Sequence, residues 1–199
     1  VSGDTFNGTY TGAFSDKNVG TGKTVTITPS YSGADVSNYS ITNHADLTAN
    51  ITVRSLTVSG VAASDKTYDG SVTAIMDSSS AVYSGFVSGD DFAASYSGVF
   101  ANANVGSGKT VTITSSYAGA DVSNYNITNQ SSTTADINKK VLLLSTFSSS
   151  DKAYDGNNTP TITSAVSGFV GSETVSHSIT ATFDNKNVGS NKVVTANSI

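Results

Sequence analysis

Between Lys109 and Thr114 the chain alternates strictly, placing Val111 and Ile113 on one face and Thr110, Thr112 and Thr114 on the other. A period of two is that of a half-buried antiparallel strand. The same pattern predicts strands at 56–61, 72–76, 92–100, 124–128, 133–137 and 141–146. Turn signals punctuate them, among them Tyr68-Asp69-Gly70, Ser88-Gly89-Asp90 and Gly106-Ser107-Gly108. Extended helix is not expected, because strong helix formers are scarce: Glu173 is the one glutamate, and Met and Arg occur once each.

The pattern repeats. Residues 19–43 reappear at 105–129 with four differences in 25 positions, an offset of 86. The same offset joins Asp65-Lys66-Thr67-Tyr68-Asp69-Gly70 to Asp151-Lys152-Ala153-Tyr154-Asp155-Gly156. A third, more diverged copy carries Phe183, Asn187, Val188, Gly189, Lys192 and Val194 at an offset of 83 from Phe100, Asn104, Val105, Gly106, Lys109 and Val111. One complete module is therefore expected over 56–137, with a partial module lacking its beginning at 1–51 and one lacking its end at 142–199. These bounds match a cut through a longer array, with any export signal outside it. A period near 86 is too long for a solenoid coil and suits an independently folded unit. With six or so strands per unit, the expected fold is all-β: tandem immunoglobulin-like β-sandwich modules in an elongated array. Short connections near 52–55 and 138–141 predict semi-rigid neighbours.

Composition narrows the function classes. With 34 Ser, 27 Thr, 18 Gly and only 2 Pro, the chain is built for strands and turns, and at 37 % hydrophobic it is too apolar for a disordered stalk. Charged residues make up 13 % and the net charge is −5, which argues against nucleic acid or an anionic membrane as partner. Cysteine is absent, which excludes disulfides, thiolate metal sites and a Cys nucleophile. The strongest apolar run, Val141-Leu142-Leu143-Leu144, is of strand length, so direct membrane insertion is not expected.

The combined signature is recognisable. Ser64 to Gly70, Ser88-Gly89-Asp90-Asp91, Phe100, Asn104 to Val111 and Gly119 to Tyr125 make the sequence similar to the YDG/MBG-type repeats of filamentous haemagglutinin-like and other giant bacterial surface proteins. The resemblance covers nearly the whole chain. It implies a secreted or cell-surface, adhesin-like protein with the repeats as spacers or adhesive modules, and it supplies no catalytic residues. The third copy departs from it in carrying Gly171-Ser172-Glu173 for Ser-Gly-Asp.

His44 and His177 stand opposite Gln130 and Ala94 in neighbouring copies and so belong to no repeated site. With a single glutamate besides, an enzyme is not expected. Gly20-Thr21-Gly22-Lys23-Thr24 resembles the end of a phosphate loop but precedes a strand, so it reads as a hairpin turn. Recurring carboxylates are the candidate metal ligands: Asp65, Asp69, Asp90, Asp91, Asp121, Asp151 and Asp155 would suit Ca2+. The competing reading is that such Asp side chains cap turns beside Gly, and no other cofactor is expected. The recurring rings Phe14/Phe100/Phe183, Tyr31/Tyr117, Tyr39/Tyr125, Tyr68/Tyr154 and Phe86/Phe169 fit core packing better than a sugar-stacking platform. Lys23/Lys109/Lys192 and Lys66/Lys152 fit surface lysines that discourage edge pairing better than Lys–Asn cross-links. Threonine rows at Thr24/Thr26/Thr28 and Thr110/Thr112/Thr114 fit the solvent face of a strand better than an ice-binding surface.

Together these readings predict a structural and adhesive repeat region of a large extracellular bacterial protein, acting as stalk, spacer or filament and matrix component. Its expected partners are neighbouring repeats, copies of itself through an exchanged strand, and host or matrix glycans. The alternative is an array that binds ligand directly, of the carbohydrate or ice class.

Overall fold

The structure, a computed structural model, describes residues 1–198; Ile199, the end of the expected third module, lies outside the described residues. The first repeat contributes β1 (Asn7–Phe14), β2 (Gly20–Ser32) and β3 (Leu47–Ile51). The central repeat contributes β4 (Arg54–Ser59), β5 (Ala62–Ala63), β6 (Lys66–Thr67), β7 (Thr73–Ala74), β8 (Met76–Asp77), β9 (Val82–Ser84), β10 (Ala93–Phe100), β11 (Gly106–Ala118), β12 (Tyr125–Thr128) and β13 (Ser132–Asn138). The third contributes β14 (Leu143–Ser149), β15 (Ile162–Ser167), β16 (Thr180–Phe183) and β17 (Val194–Ser198). The only helical pieces among the described residues are 3-10 turns at Val36–Asn38 and Val122–Asn124. The protein is all-β, as the period-two pattern and scarcity of helix formers require. Among the described residues, no helix is long and apolar enough to cross a membrane.

The chain divides into two compact units. The first comprises Val1–Ala62, Ile75–Gly98 and Thr112–Thr133; the second comprises Ala63–Ala74, Val99–Val111 and Thr134–Ile199. The central repeat supplies segments to both.

In the first unit, β1, β2 and β3 form an antiparallel sheet whose β1–β2 ladder runs from Asn7↔Ser32 to Phe14↔Val25. A second sheet, β12-β4-β9, sets β12 parallel to β4 and β9 antiparallel to it. Val58 and Val61 meet Ile113 in a buried cluster, with Met76, Tyr83, Tyr96 and Ile127 packed against it. Gln130 clamps the edge of this cluster, accepting the Val61 N–H at 3.0 Å and donating to the Val61 carbonyl at 2.8 Å. A five-stranded sheet is ordered β6-β13-β11-β10-β7, and in the second unit β14-β15 and β16-β17 form separate antiparallel pairs. Phe100, Val111, Ala135 and Ile137 are buried there, and the Lys66 ammonium lies 5.5 Å from the centre of the Phe100 ring.

One expectation fails. Gly20-Thr21-Gly22-Lys23 is not a hairpin turn: β2 begins at Gly20, and the β2–β3 register shifts between Gly20 and Lys23, the mark of a bulge. Gly22 adopts φ 63° and its N–H donates to Asn50 Oδ1 at 2.8 Å, so the strand absorbs the extra residue without ending. Gly108 repeats this with φ 58° and a 2.7 Å bond to Asp136 Oδ1. The chain reverses earlier, between Phe14 and Gly20.

Candidate functional site

The Tyr-Asp-Gly signature is a lysine-centred loop. Lys66 Nζ donates to Asp69 Oδ1 at 2.7 Å, to the Ser71 carbonyl at 2.8 Å and to the Thr73 carbonyl at 3.1 Å. Asp69 also accepts the Ser71 N–H at 2.9 Å, and these donors hold its carboxyl down at about 2. Lys152 builds the same cage on Asp155 at 2.7 Å, Asn157 Oδ1 at 2.7 Å and the Thr159 carbonyl at 3.1 Å. The other lysine series does likewise: Lys23 bonds Asp16, Lys109 bonds Asn102 Oδ1 at 2.7 Å, and Lys192 bonds Asp184 at 2.8 Å. These lysines are therefore loop staples and not edge guards. A lysine among unpaired backbone carbonyls satisfies several acceptors at once, which outweighs leaving its ammonium in solvent.

The most developed polar site lies in the first unit, where the first repeat meets the central one. A socket is made by two loops of the central repeat. Asp91 N–H donates to Asp121 Oδ2 at 2.8 Å, and the Ala120 N–H donates to Asp91 Oδ2 at 2.9 Å, so the two carboxylates tie the loops to each other. Gly119 makes the approach possible: at φ 125°, a Cβ there would lie 2.2 Å from the Asp91 carbonyl oxygen. The Tyr125 hydroxyl donates to Asp90 Oδ2 at 2.6 Å and accepts the Val87 N–H at 3.0 Å. Behind the socket, the Phe92 ring contacts Tyr83, Phe86, Tyr117 and Tyr125.

Into this socket projects the β1–β2 loop of the first repeat. Lys17 Nζ sits 2.8 Å from Asp90 Oδ1 and 2.9 Å from Asp121 Oδ1. Val19 N–H donates to Asn124 Oδ1 at 2.9 Å, while Asn124 Nδ2 donates to Asn18 Oδ1 at 3.1 Å. The Lys17 ammonium, with help from the Tyr125 hydroxyl, holds Asp90 below the usual carboxylate range. The two carboxylates in turn push Lys17 well above its ordinary value. Burial, then the adjacent Asp90, raises the Tyr125 hydroxyl. Such an arrangement joins and orients two repeats; it presents no free nucleophile or base.

The second unit holds a joint of different chemistry. There the Tyr68 hydroxyl donates to Glu173, the third repeat's counterpart of Asp90, and this carboxylate, then burial, raises the Tyr68 hydroxyl. Val105, Leu142, Phe169 and Val170 line a cleft of about 260 Å3 beside it. Tyr68 thus serves the joint and not a core, and its counterpart Tyr154 is 61 % exposed; both sit on the loop before Gly70 or Gly156 and not in a strand.

The candidate calcium ligands separate accordingly. Asp90, Asp91 and Asp121 converge, with Lys17 as the cation between Asp90 and Asp121. Asp65 lies apart and accepts the Asp136 N–H at 2.7 Å. Asp69 and Asp155 belong to the lysine loops, and Asp151 lines a cleft of about 690 Å3 with Tyr154, Lys186 and Val188. Among the described residues, no group of three or more His, Cys, Asp or Glu is placed to hold a metal ion. His177 Nε2 lies 3.0 Å from Ser164 Oγ; His177 is exposed and Ser164 half-buried, and both are replaced by alanine in the central repeat. Sequence reasoning overlooked Lys17 as a joint residue and Phe92 as the hub of the rings. Both carried a signal: Lys17 recurs as Lys186, and Phe92 as Phe6.

The YDG domain family model matches the chain three times, at residues 1–49, 52–135 and 138–199. No curated protein and no solved structure matches it.

Proposed function

The chain belongs to the YDG domain family, and from that premise we propose that it is a mechanical spacer: a run of immunoglobulin-like β-sandwich modules within a large secreted or cell-surface bacterial adhesin. Each module sets the direction of the next, and length comes from copy number. The observation that carries this reading is the first joint. Lys17, Asn18 and Val19 of one repeat bond Asp90, Asp121 and Asn124 of the next. Only Thr52 and Val53 separate β3 from β4, so the covalent tether leaves little slack. Recurrence supports it further, since what repeats along the chain is strand, loop staple and ring. The histidines and the lone glutamate do not repeat.

The test is small-angle scattering on arrays of increasing repeat number. A stiff spacer gives a radius of gyration that rises linearly with the number of repeats. Growth near the square root of that number, the behaviour of a flexible string, would overturn the proposal.

A further inference from the structure

The two joints use the same parts of the repeat and differ at two positions. On the receiving side the turns are alike. Asp90 N–H donates to the Val87 carbonyl at 3.3 Å and Glu173 N–H to the Val170 carbonyl at 3.1 Å, with Phe86 and Phe169 before the two valines. The carboxylate therefore springs from the same place in each turn, and Glu173 is one methylene longer. On the projecting side, Lys17-Asn18-Val19 of the first repeat corresponds to Ala103-Asn104-Val105 of the central one. Val105 lines the same cleft as Val170 and Glu173, so this loop serves the second joint as its counterpart serves the first. The two differences go together. Where the loop carries Lys17, the carboxylate is Asp90 and bonds the ammonium at 2.8 Å. Where it carries Ala103, the carboxylate is Glu173 and bonds the Tyr68 hydroxyl of the Tyr-Asp-Gly loop.

We infer that residues 103 and 173 are the specificity-determining pair of the second joint, matched to each other as Lys17 is to Asp90, so that consecutive repeats are not interchangeable. The central repeat's loop presents no cation at this position. Seated on a repeat of the Asp90/Asp121 kind, it would leave two carboxylates, their side chains 12 % and 9 % exposed, without the ammonium that neutralises them. That cost counts against the wrong neighbour. On a repeat carrying Glu173, a hydroxyl donor takes the place of the ammonium. Gly70 permits the close approach, since a Cβ there would lie 3.0 Å from Val170 Cγ1. Selection has to reside at the joint, because the strands cannot supply it: 19–43 and 105–129 differ at only four of 25 positions. The inference rests on the spacer reading and adds order to direction.

Exchanging the pair tests it. In Glu173→Asp the carboxylate falls one methylene short. The Tyr68 hydroxyl, followed by NMR of a chain labelled at the tyrosine Cζ, should then titrate closer to its ordinary value of about 10 than in the native chain, where Glu173 raises it. In Ala103→Lys combined with Glu173→Asp, zero-length carbodiimide coupling, which joins an ammonium to a carboxylate held in contact with it, should link residue 103 to residue 173. The yield should be comparable to that of the Lys17 link to Asp90 or Asp121 in the same sample. Lys139 and Lys140 line the same cleft, so peptide mapping assigns the link to residue 103. Native-like titration of Tyr68 in Glu173→Asp, or no link between 103 and 173 in the double variant, overturns the matching, while the Lys17 link leaves the spacer reading standing. Failure of the Lys17 link in the native chain overturns both.

Discussion

Residues 19–43 and 105–129 differ at four of 25 positions, yet the two repeats that carry them have different fates. Phe100 is 3 % exposed and its counterpart Phe14 is 42 % exposed; Tyr125 is 8 % exposed and Tyr39 is 41 %. Val111 and Ile113 are buried, whereas Val25 and Ile27 are half-buried. Local structure is nevertheless the same in both, down to the long strand, the bulge at the second glycine and the 3-10 turn after Asp35 or Asp121. What differs is the opposing layer. In the central repeat Val58 of β4 packs on Ile113 of β11, with Tyr83 of β9 beside them. The first repeat has no counterpart of β4 or β9 among the described residues. Strand sequence sets the pleat and the turns; burial comes from residues elsewhere in the chain, as expected when pairing and packing are non-local.

The largest effect should come from truncating the same ring in the two settings. Phe100→Ala is expected to cost about 3–5 kcal/mol, the usual range for a buried phenylalanine. Phe14→Ala should cost well under half as much, because the ring is already 42 % exposed. Urea unfolding of the two variants measures both, and equal losses would show that the two repeats are packed alike.

A glycine pair gives the complementary contrast, because here the local geometry is shared. Gly33 and Gly119 have φ 136° and 125°, and a Cβ at either would sit 2.2 Å from a carbonyl oxygen, of Thr5 or of Asp91. Gly33→Ala and Gly119→Ala should each destabilise their own repeat by about 1–3 kcal/mol. Amide exchange, which reads local stability repeat by repeat, should show similar losses in the two. A large difference would mean that the loops are held by their surroundings and not by their own backbone.

A smaller effect is expected at the joint, where the groups are partly solvated and screened. Asp90 titrates below its ordinary value of about 3.9 because Lys17 and Tyr125 favour its ionised form. Its contribution to the joint is therefore complete above that ordinary value and is lost as pH falls through the lower folded one. Lys17 is displaced upward, so its contribution is complete at neutral pH and is lost only as pH rises through its raised value. Protection of the Val19 amide should follow the acid limb and weaken at high salt. In Lys17→Ala this amide should exchange fast at every pH, with little change in the exchange of Val111. Calcium should have the smallest effect: with Lys17 already between Asp90 and Asp121, the melting temperature should be the same with Ca2+ and with chelator. A clear upward shift with Ca2+ would mean that the carboxylates bind the ion in preference to the lysine.

Much of the fold was legible because strand and turn are local properties. The Thr/Val alternation located the middle of β11, and the repeat offset then transferred the reading to β2. The bulge was not legible, because Gly-Ser-Gly is compatible with either a turn or an αL residue inside a strand; the partner that decides, Asp136, lies in β13. The lysines were misread for a related reason. An ammonium satisfied by carbonyls five to seven residues away leaves no periodic trace, so Lys66 and Lys152 look like surface charges. Asp90, Asp91 and Asp121 were legible as recurring carboxylates and read as candidate calcium ligands, but the lysine between two of them was not. Lys17 is an alanine in the next copy and returns only as Lys186 in the third, so a comparison of adjacent copies passes over it.

The central claim, that consecutive repeats are fixed to one another through the Lys17 socket, is open to one direct measurement. Backbone N–H residual dipolar couplings from β1 and β2 of the first repeat can be compared with those from β4, β9 and β12 of the central repeat in the same weakly aligned sample. The account predicts that a single alignment tensor fits both sets in the native chain, and that two are needed in Lys17→Ala combined with Asn124→Ala. Two separate tensors in the native chain would contradict it, leaving beads on a flexible string.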